Sequence, residues 1–247
     1  MKSKENKKQN KIELNIMKYR FINKMKILTF DTETTGLPEK NARVLTEDLD
    51  KWPHIIQLSY LVYEWTEDAS SSYVTDNIIC LSPDVEISEK SISMHKITRE
   101  RSVAEGIFIY DAISLFNTHL ETADVVVGHN IEFDKKMIMV ECLRNNIENM
   151  FCPWKNKAHH YCTMKNTRNF CGIIAKSKVT NEPYNKYPTL SELHEKLFGT
   201  IPEGTHDSMV DVLICFRCYF MYVNKEDLYA TNRGFRYLIK NYITKLN

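Results

Sequence analysis

The sequence predicts a mixed α/β sheet with helices on both faces, and three observations predict it. Three β-rich runs follow one another in hairpin fashion between residues 26 and 81. Beyond them, apolar spacing alternates between helical and strand periods. No Gly/Ser-rich linker and no internal repeat interrupts residues 25–222. The 247 residues are 43% hydrophobic and 26% charged, ordinary globular usage that excludes a disordered, collagenous or repeat-only protein. No uncharged apolar run approaches the roughly 18–20 residues of a membrane span. The best, Val212 to Val223, is broken by Arg217, so a soluble protein is expected.

Each element follows from local pattern. Lys26 to Phe30 is a short β-rich run ending at Asp31, and Thr34 to Pro38 supplies turn residues. Ile55 to Tyr63 reads as a second strand and Tyr73 to Leu81 as a third, with Glu67–Ser72 as the hairpin turn. Residues 82–98 read as a loop with one short helix. Ile107, Ala112, Leu115, Phe116 and Leu120 recur at helical spacing. Val125 to Val127 is a short buried strand, Ile131 to Arg144 a helix, and Tyr161 to Met164 a fifth strand. Residues 174–188, rich in Lys, Asn and Pro, read as a surface loop. Leu190, Leu193 and Leu197 make a helix that Gly199 ends, and His206 to Tyr222 is the last core helix.

Three segments result: a flexible basic tail at 1–24, one domain at 25–222, and a basic helical extension at 223–247. The tail carries eight Lys and Arg against two Glu, although the whole chain is only +1. No apolar stretch after Met1 suggests a secretory signal. Seven cysteines, an odd number, then point to reduced thiols in a cytosol-like compartment. Cys152, His159, His160, Cys162 and Cys171, or the Cys215/Cys218 pair, read as buried thiols and ring nitrogens in preference to a zinc site.

Three pieces place carboxylates where chemistry could use them. Asp31 and Glu33 are two apart at a strand end and so share a face. They are either a polar edge or ligands of a hard divalent ion. Gly128-His-Asn-Ile-Glu-Phe-Asp134 joins a buried strand to a helix, with Asn130 at the N-cap and Asp134 in the first turn. A capped helix with a dipole-matched Asp explains it equally well, and His129 reads as well as a structural imidazole. His206 and Asp211 are about 1.4 helical turns apart at the start of the last helix. A histidine there can take a proton from water; alternatively Asp207 or Thr205 is an N-cap and Asp211 is solvated.

In this order the three pieces resemble the DEDDh, or DnaQ-like, 3′–5′ exonucleases of the ribonuclease H-like fold, over roughly Met25 to Tyr222. Thr34-Thr-Gly-Leu37, Met94-His-Lys-Ile-Thr98, Cys162-Thr-Met164 and Tyr187-Pro-Thr-Leu-Ser-Glu-Leu-His194 are similar to family stretches. Lys96 stands where Gly is usual and Ser208 where Ala is common, two departures read as lying away from the chemistry. Asp207, where a related subclass has Tyr, selects the histidine variant.

The resemblance implies a ribonuclease H-like mixed sheet, three antiparallel strands followed by parallel ones. It makes Asp31, Glu33, Asp134 and Asp211 ligands of two divalent cations, Mg²⁺ or Mn²⁺, with His206 the general base. Thr34, Thr35 and Leu37 would line the pocket of the terminal nucleotide, the Thr main chain near the 3′-hydroxyl and Leu37 against the last base. His95, Asn130 and Phe133 are further substrate candidates, Phe133 as a stacking face or as core. The implied reaction releases nucleoside 5′-monophosphates from DNA 3′ ends, single-stranded or frayed. Alternatives are a 3′–5′ exoribonuclease, a polymerase-associated proofreading or partner-docked module, and a catalytically dead nucleic-acid binder.

Overall fold

Residues Met25–Thr34 form the central strand, β1, and the alternation of their side chains sets the architecture. The computed structural model describes residues 24–66, 69–152 and 154–243. β1 pairs antiparallel with β2 (Ile55–Trp65), and β2 antiparallel with β3 (Ser70–Ile78). On its other side β1 pairs parallel with β4 (Val125–Gly128), and β4 parallel with β5 (His159–Cys162). The order is β3-β2-β1-β4-β5, and a separate hairpin is made by β6 (Ile174–Lys176) and β7 (Pro183–Asn185).

The helices, in chain order, are α1 (Glu89–His95), α2 (Arg99–Glu105), α3 (Ile109–Glu121), α4 (Ile131–Arg144), α5 (Thr163–Asn166), α6 (Arg168–Cys171), α7 (Leu190–Phe198), α8 (Ser208–Asn224), α9 (Leu228–Thr231) and α10 (Arg233–Tyr242). Leu28 and Phe30 of β1 enter a core layer with Tyr60, Val126 and residues of α3 and α4, among them Phe116, Leu120 and Ile138. Ile27 enters the opposite layer, with Tyr63, Val125, Val127 and the α8 residues Leu213, Phe216 and Phe220. Alternation therefore sends Asp31 and Glu33 to the α8 face, and Thr32 to the α4 face.

Several elements differ from their sequence expectations. β1 does not stop at Phe30: Asp31 pairs with Ser59 and Glu33 with Gln57, so both acids lie inside the β1–β2 ladder. The parallel ladder with β4 ends earlier, at Thr29 and Val127, so on that side the end of β1 has no strand beside it. β5 spans His159–Cys162 instead of running to Met164, because Thr163 leaves the sheet to begin α5 and donates its hydroxyl to the Gly128 carbonyl. The expected helix from Ile107 begins at Ile109, and Ile107 instead bridges Ile79. Ahead of it lies an unexpected helix, α2, capped by Thr98 and anchored by a buried polar residue: Ser102 donates to the Ile79 carbonyl and accepts from Leu81. At its end Gly106 passes so close to Cys80 that a Cβ would sit 2.4 Å from the Cys80 nitrogen. The 174–188 loop contains β6 and β7.

The charge interrupting the apolar helix is satisfied internally. Arg217 donates to both oxygens of Asp227 (2.9 and 2.8 Å) and to His194 Nε2 (3.1 Å), and lies 3.9 Å from the centre of the Phe198 ring. Asp227 thereby ties the C-terminal segment to α7 and α8, and Phe235 of α10 packs edge-on against Phe216. Of the basic tail only Lys24 falls among the described residues, where it pairs with Glu64 at 2.6 Å. All seven cysteines are free thiols. No helix among the described residues is long and apolar enough to cross a membrane.

A polar staple fixes the segment preceding β2. Arg144, at the end of α4, donates to the carbonyls of Leu49 (2.6 Å), Trp52 (2.5 Å) and Pro53 (2.7 Å), and to buried Glu141 (2.8 Å). Glu141 also accepts from the Ile55 amide. Arg144→Met takes the guanidinium from a buried carboxylate and leaves it the His54 ring nitrogen at 3.4 Å, so it should lower unfolding free energy by about 2–4 kcal/mol in urea denaturation. Adding Glu141→Gln should recover part of the loss, since no buried charge then remains unpaired. Equal losses in the single and double variants would show that the carbonyl contacts, not the ion pair, hold the segment.

Candidate active site

The site is built where β1 outruns β4. A strand edge without a neighbour leaves main-chain N–H groups to satisfy, and here the Thr32 amide donates to Asp134 Oδ1 at 3.1 Å. The Thr32 hydroxyl donates to the same oxygen at 2.8 Å. Asp134 comes from the first turn of α4 on the opposite sheet face and is buried. Its carboxylate thus occupies the edge position that a longer β4 would have filled. This sets it beside Asp31 and Glu33, which reach forward from the α8 face.

The fourth acid arrives with α8. Asp207 caps that helix, its Oδ1 accepting from Met209 and Val210, which places Asp211 one turn in. The Ser208 hydroxyl donates to the Asp31 carbonyl at 2.8 Å, so the start of the helix is fastened to β1. Asp211 Oδ2 accepts from the His206 main-chain N–H at 3.1 Å, and His206 has a left-handed backbone with φ of 75°. A ring nitrogen of His206 and carboxylate oxygens of Glu33 and Asp211 all lie within 4.8 Å of one another. The His206 side chain is exposed, whereas Glu33 and Asp211 are half-buried.

Bringing four carboxylates together opposes their ionisation. Burial is the largest cause at every one of them. It pushes Asp31 well above the usual range, reinforced by Asp134, Asp211 and Glu33 and partly offset by Ser208. Glu33 rises to about 8 through burial and then the charges of Asp211, Asp134 and Asp207. Asp134 rises to about 7, burial outweighing the two Thr32 hydrogen bonds, and Asp211 rises to about 7. The donor set fits divalent cations: hard carboxylate oxygens whose mutual repulsion a cation relieves, with the imidazole at the rim. Asp211 Oδ1 is buried with no hydrogen-bond partner, as a ligand atom would be. A cation entering this set would compete with protons for the carboxylate oxygens.

The substrate candidates divide. Leu37 is 76% exposed, an apolar side chain held in solvent just beyond the end of β1. Thr34 is buried and its hydroxyl donates to the Gly36 carbonyl at 2.7 Å. Thr35 is buried, with its amide bonded to His54 and its carbonyl to Ser88, so its main chain is committed to the turn. His95 is 5% exposed; its Nδ1 accepts from Ile97, and its ring is held low by burial, partly offset by the Thr34 main chain. It braces the turn from beneath. Phe133 is half-buried against the α4-side core. Asn130 is exposed and occupies the N-cap in a left-handed conformation without a side-chain cap bond. His129 is structural: it bonds Thr163 and the Pro188 carbonyl, and burial lowers its pKa to about 4.

Sequence reasoning missed Thr32, Gln57 and the part played by Ser208. Their contacts depend on strand register and a helix docking angle that spacing does not encode. Lys96 caps α1 at a φ of 62°, a conformation that accounts for the usual glycine, which carries no Cβ penalty there; nothing in the structure explains the lysine.

Residues 28–219 match the model of the exonuclease family designated RNase T. Among solved structures, E. coli exonuclease I in complex with a dT13 oligonucleotide aligns with a TM-score of 0.61 at 16% identity, covering 87% of this chain and 43% of that one. The zinc-ion-bound form of an E. coli exonuclease I complex with single-stranded DNA aligns with a TM-score of 0.57 at 16% identity, covering 87% and 43%. A moderately thermophilic exonuclease I from Methylocaldum szegediense aligns with a TM-score of 0.55 at 16% identity, covering 88% and 43%. The chain spans less than half the length of these proteins, and what it shares with them is the fold, the mixed five-stranded sheet with its helices. No curated protein matches.

The raised carboxylates give metal-free stability a definite sign. The unfolded chain has carboxyl pKa values near 4, whereas the folded values reach about 7 to 8. The folded state therefore binds more protons between these limits, and its stability falls as pH rises through them. In chelator, the melting temperature should drop from pH 5 to pH 8. Asp211→Asn should melt higher at pH 8 and show a shallower slope by calorimetry. A steeper slope, or a lower melting temperature at pH 8, would mean that Asp211 stabilises the fold.

Proposed function

We propose, for a chain that belongs to the exonuclease family, that it is a metal-dependent 3′–5′ exonuclease releasing nucleoside 5′-monophosphates from DNA 3′ ends. The observation that carries this reading is the convergence of Asp31, Glu33, Asp134 and Asp211 with His206 at the open end of β1. Asp31, Glu33, Asp134 and Asp211 would hold two divalent cations, Mg²⁺ or Mn²⁺. When bound, such a pair supplies Lewis acidity toward the attacking water and the leaving 3′-oxygen of an in-line displacement.

The chain's own residues supply the rest. Asp211 fixes the main chain of His206 with one carboxylate oxygen, and the exposed imidazole is left free to take a proton from water at a ring nitrogen. Leu37 would press on the terminal base, with the Thr34-Thr35 turn beneath it and His95 bracing that turn. Asn130 and Phe133, at the start of α4, would flank the substrate on the Asp134 side. Single-stranded DNA is the substrate favoured here, because an exposed apolar wedge suits a base freed from its partner.

The test is purified protein with Mg²⁺ or Mn²⁺ on 5′-labelled single-stranded DNA, duplex DNA with a 3′ mismatch, and RNA of the same sequence. Stepwise shortening from the 3′ end should appear and stop in EDTA. Activity in EDTA, or from a blocked 3′ end, would remove the reading, and preference for RNA would make the protein an exoribonuclease. His206→Ala should lower the maximal rate by about 10²–10⁴-fold while leaving Mn²⁺ affinity in place. The deficit should narrow as pH rises and hydroxide replaces the missing base. Loss of Mn²⁺ binding in calorimetry, with activity restored by excess metal, would make His206 a ligand instead.

A further inference from the structure

A row of polar side chains crosses the sheet beneath the start of α8, and its members in β2 are buried. In β2, Gln57 is 2% exposed and Ser59 is 0% exposed. Asp31, Ser59 and Asp76 lie in register across β1, β2 and β3, and Glu33 pairs with Gln57 beside them. Gln57 Nε2 donates to Asp76 Oδ1 at 2.8 Å, and the Ser59 hydroxyl donates to the same oxygen at 2.7 Å. Gln57 Oε1 then accepts from the Ser208 amide at 3.3 Å. A side-chain amide has two orientations, and a carboxylate, which only accepts, selects the one with its NH₂ toward Asp76. Asp76 therefore aims the Gln57 oxygen at α8.

That oxygen completes an unusual helix start. The first N–H groups of a helix have no partner within it. Here Asp207 accepts from Met209 and Val210, and Gln57 accepts from Ser208. The Ser208 hydroxyl meanwhile holds the Asp31 carbonyl. Ser208 is thus tied to both strands that form the floor of the site, two residues after His206 and three before Asp211.

We propose that Gln57, oriented by Asp76, is a positioning residue of the active site, holding the first turn of α8 so that Asp211 and His206 converge on Asp31 and Glu33. This rests on the exonuclease reading above. It does not follow from burial alone, because a merely structural amide would be replaceable by an apolar side chain of the same length. Displacing a catalytic group by about 1 Å is enough to lose on the order of 10²-fold in rate.

The test compares Gln57→Met with Leu120→Ala, a cavity variant in the opposite core layer, in the full-length protein. Mn²⁺ affinity by calorimetry and hydrolysis of 5′-labelled single-stranded DNA are measured well below both melting temperatures. Gln57→Met should weaken Mn²⁺ binding at least about 3-fold and lower kcat at least about 10-fold, with KM within about 2-fold. Leu120→Ala should lose melting temperature and keep both. Gln57→Glu with Asp76→Asn restores the pattern of one donor facing one acceptor, and should recover rate relative to Gln57→Glu alone. Wild-type Mn²⁺ affinity and kcat in Gln57→Met, with only its melting temperature reduced, would overturn the proposal. If the wild-type protein hydrolyses no 3′ end, the exonuclease reading falls, and the Mn²⁺ comparison still decides whether Gln57 positions the acidic cluster.

Discussion

One edge condition organises this molecule: the central strand of the sheet extends past its parallel neighbour. The main-chain N–H of Thr32 then requires an acceptor, and the carboxylate of Asp134 supplies it from a helix on the far face. Without that contact the cluster would hold only the three acids of the α8 face, and Asp134 would be an ordinary first-turn residue of its helix. Core packing on both faces serves this geometry by fixing α4 and α8 against β1.

The acids themselves work against stability. Each is pushed toward its neutral form by burial, and at all four the neighbouring carboxylate charges add to it. The surrounding bonds show how the fold tolerates this. Thr32 stabilises Asp134, Ser208 lowers the pKa of Asp31, and the His206 amide lowers that of Asp211. Glu33 has no such offsetting hydrogen bond among the causes of its shift and stands at about 8. The site is an electrostatic deficit assembled by the fold, of the kind that bound cations would relieve.

Much of this was legible in the chain. The α4 span Ile131–Arg144 follows from apolar spacing after a glycine turn, and Gly199 marks the end of α7 by its left-handed φ of 75°. The mixed sheet followed from hairpin-like runs before alternating elements, and its match to the fold of exonuclease I agrees. The α2 helix was not legible because Ser102, not an apolar stripe, anchors it. β5 was misplaced because Cys162 and Thr163 are equally at home in a strand, and only the contact with Gly128 turns the chain. Within the site, the three motifs mark the acids and His206. The contacts of Thr32, Gln57 and Ser208 follow from register, which the motifs do not specify. His95 matched a family stretch, yet sits under the turn, out of reach of solvent.

The left-handed backbone of His206 has an evolutionary consequence. A non-glycine residue in that region carries a strain of about 1–3 kcal/mol, and Asn or Gly would occupy the same turn more comfortably. Neither could serve as the proton acceptor proposed for His206. Random drift at this position, as at the neighbouring acids, therefore runs downhill in folding energy and, on the proposed reading, toward inactivity. Descendants of such a sequence released from selection would be expected to lose the histidine early and the fold late. If the proposed activity holds, they would persist as well-folded proteins that bind where their ancestor cut.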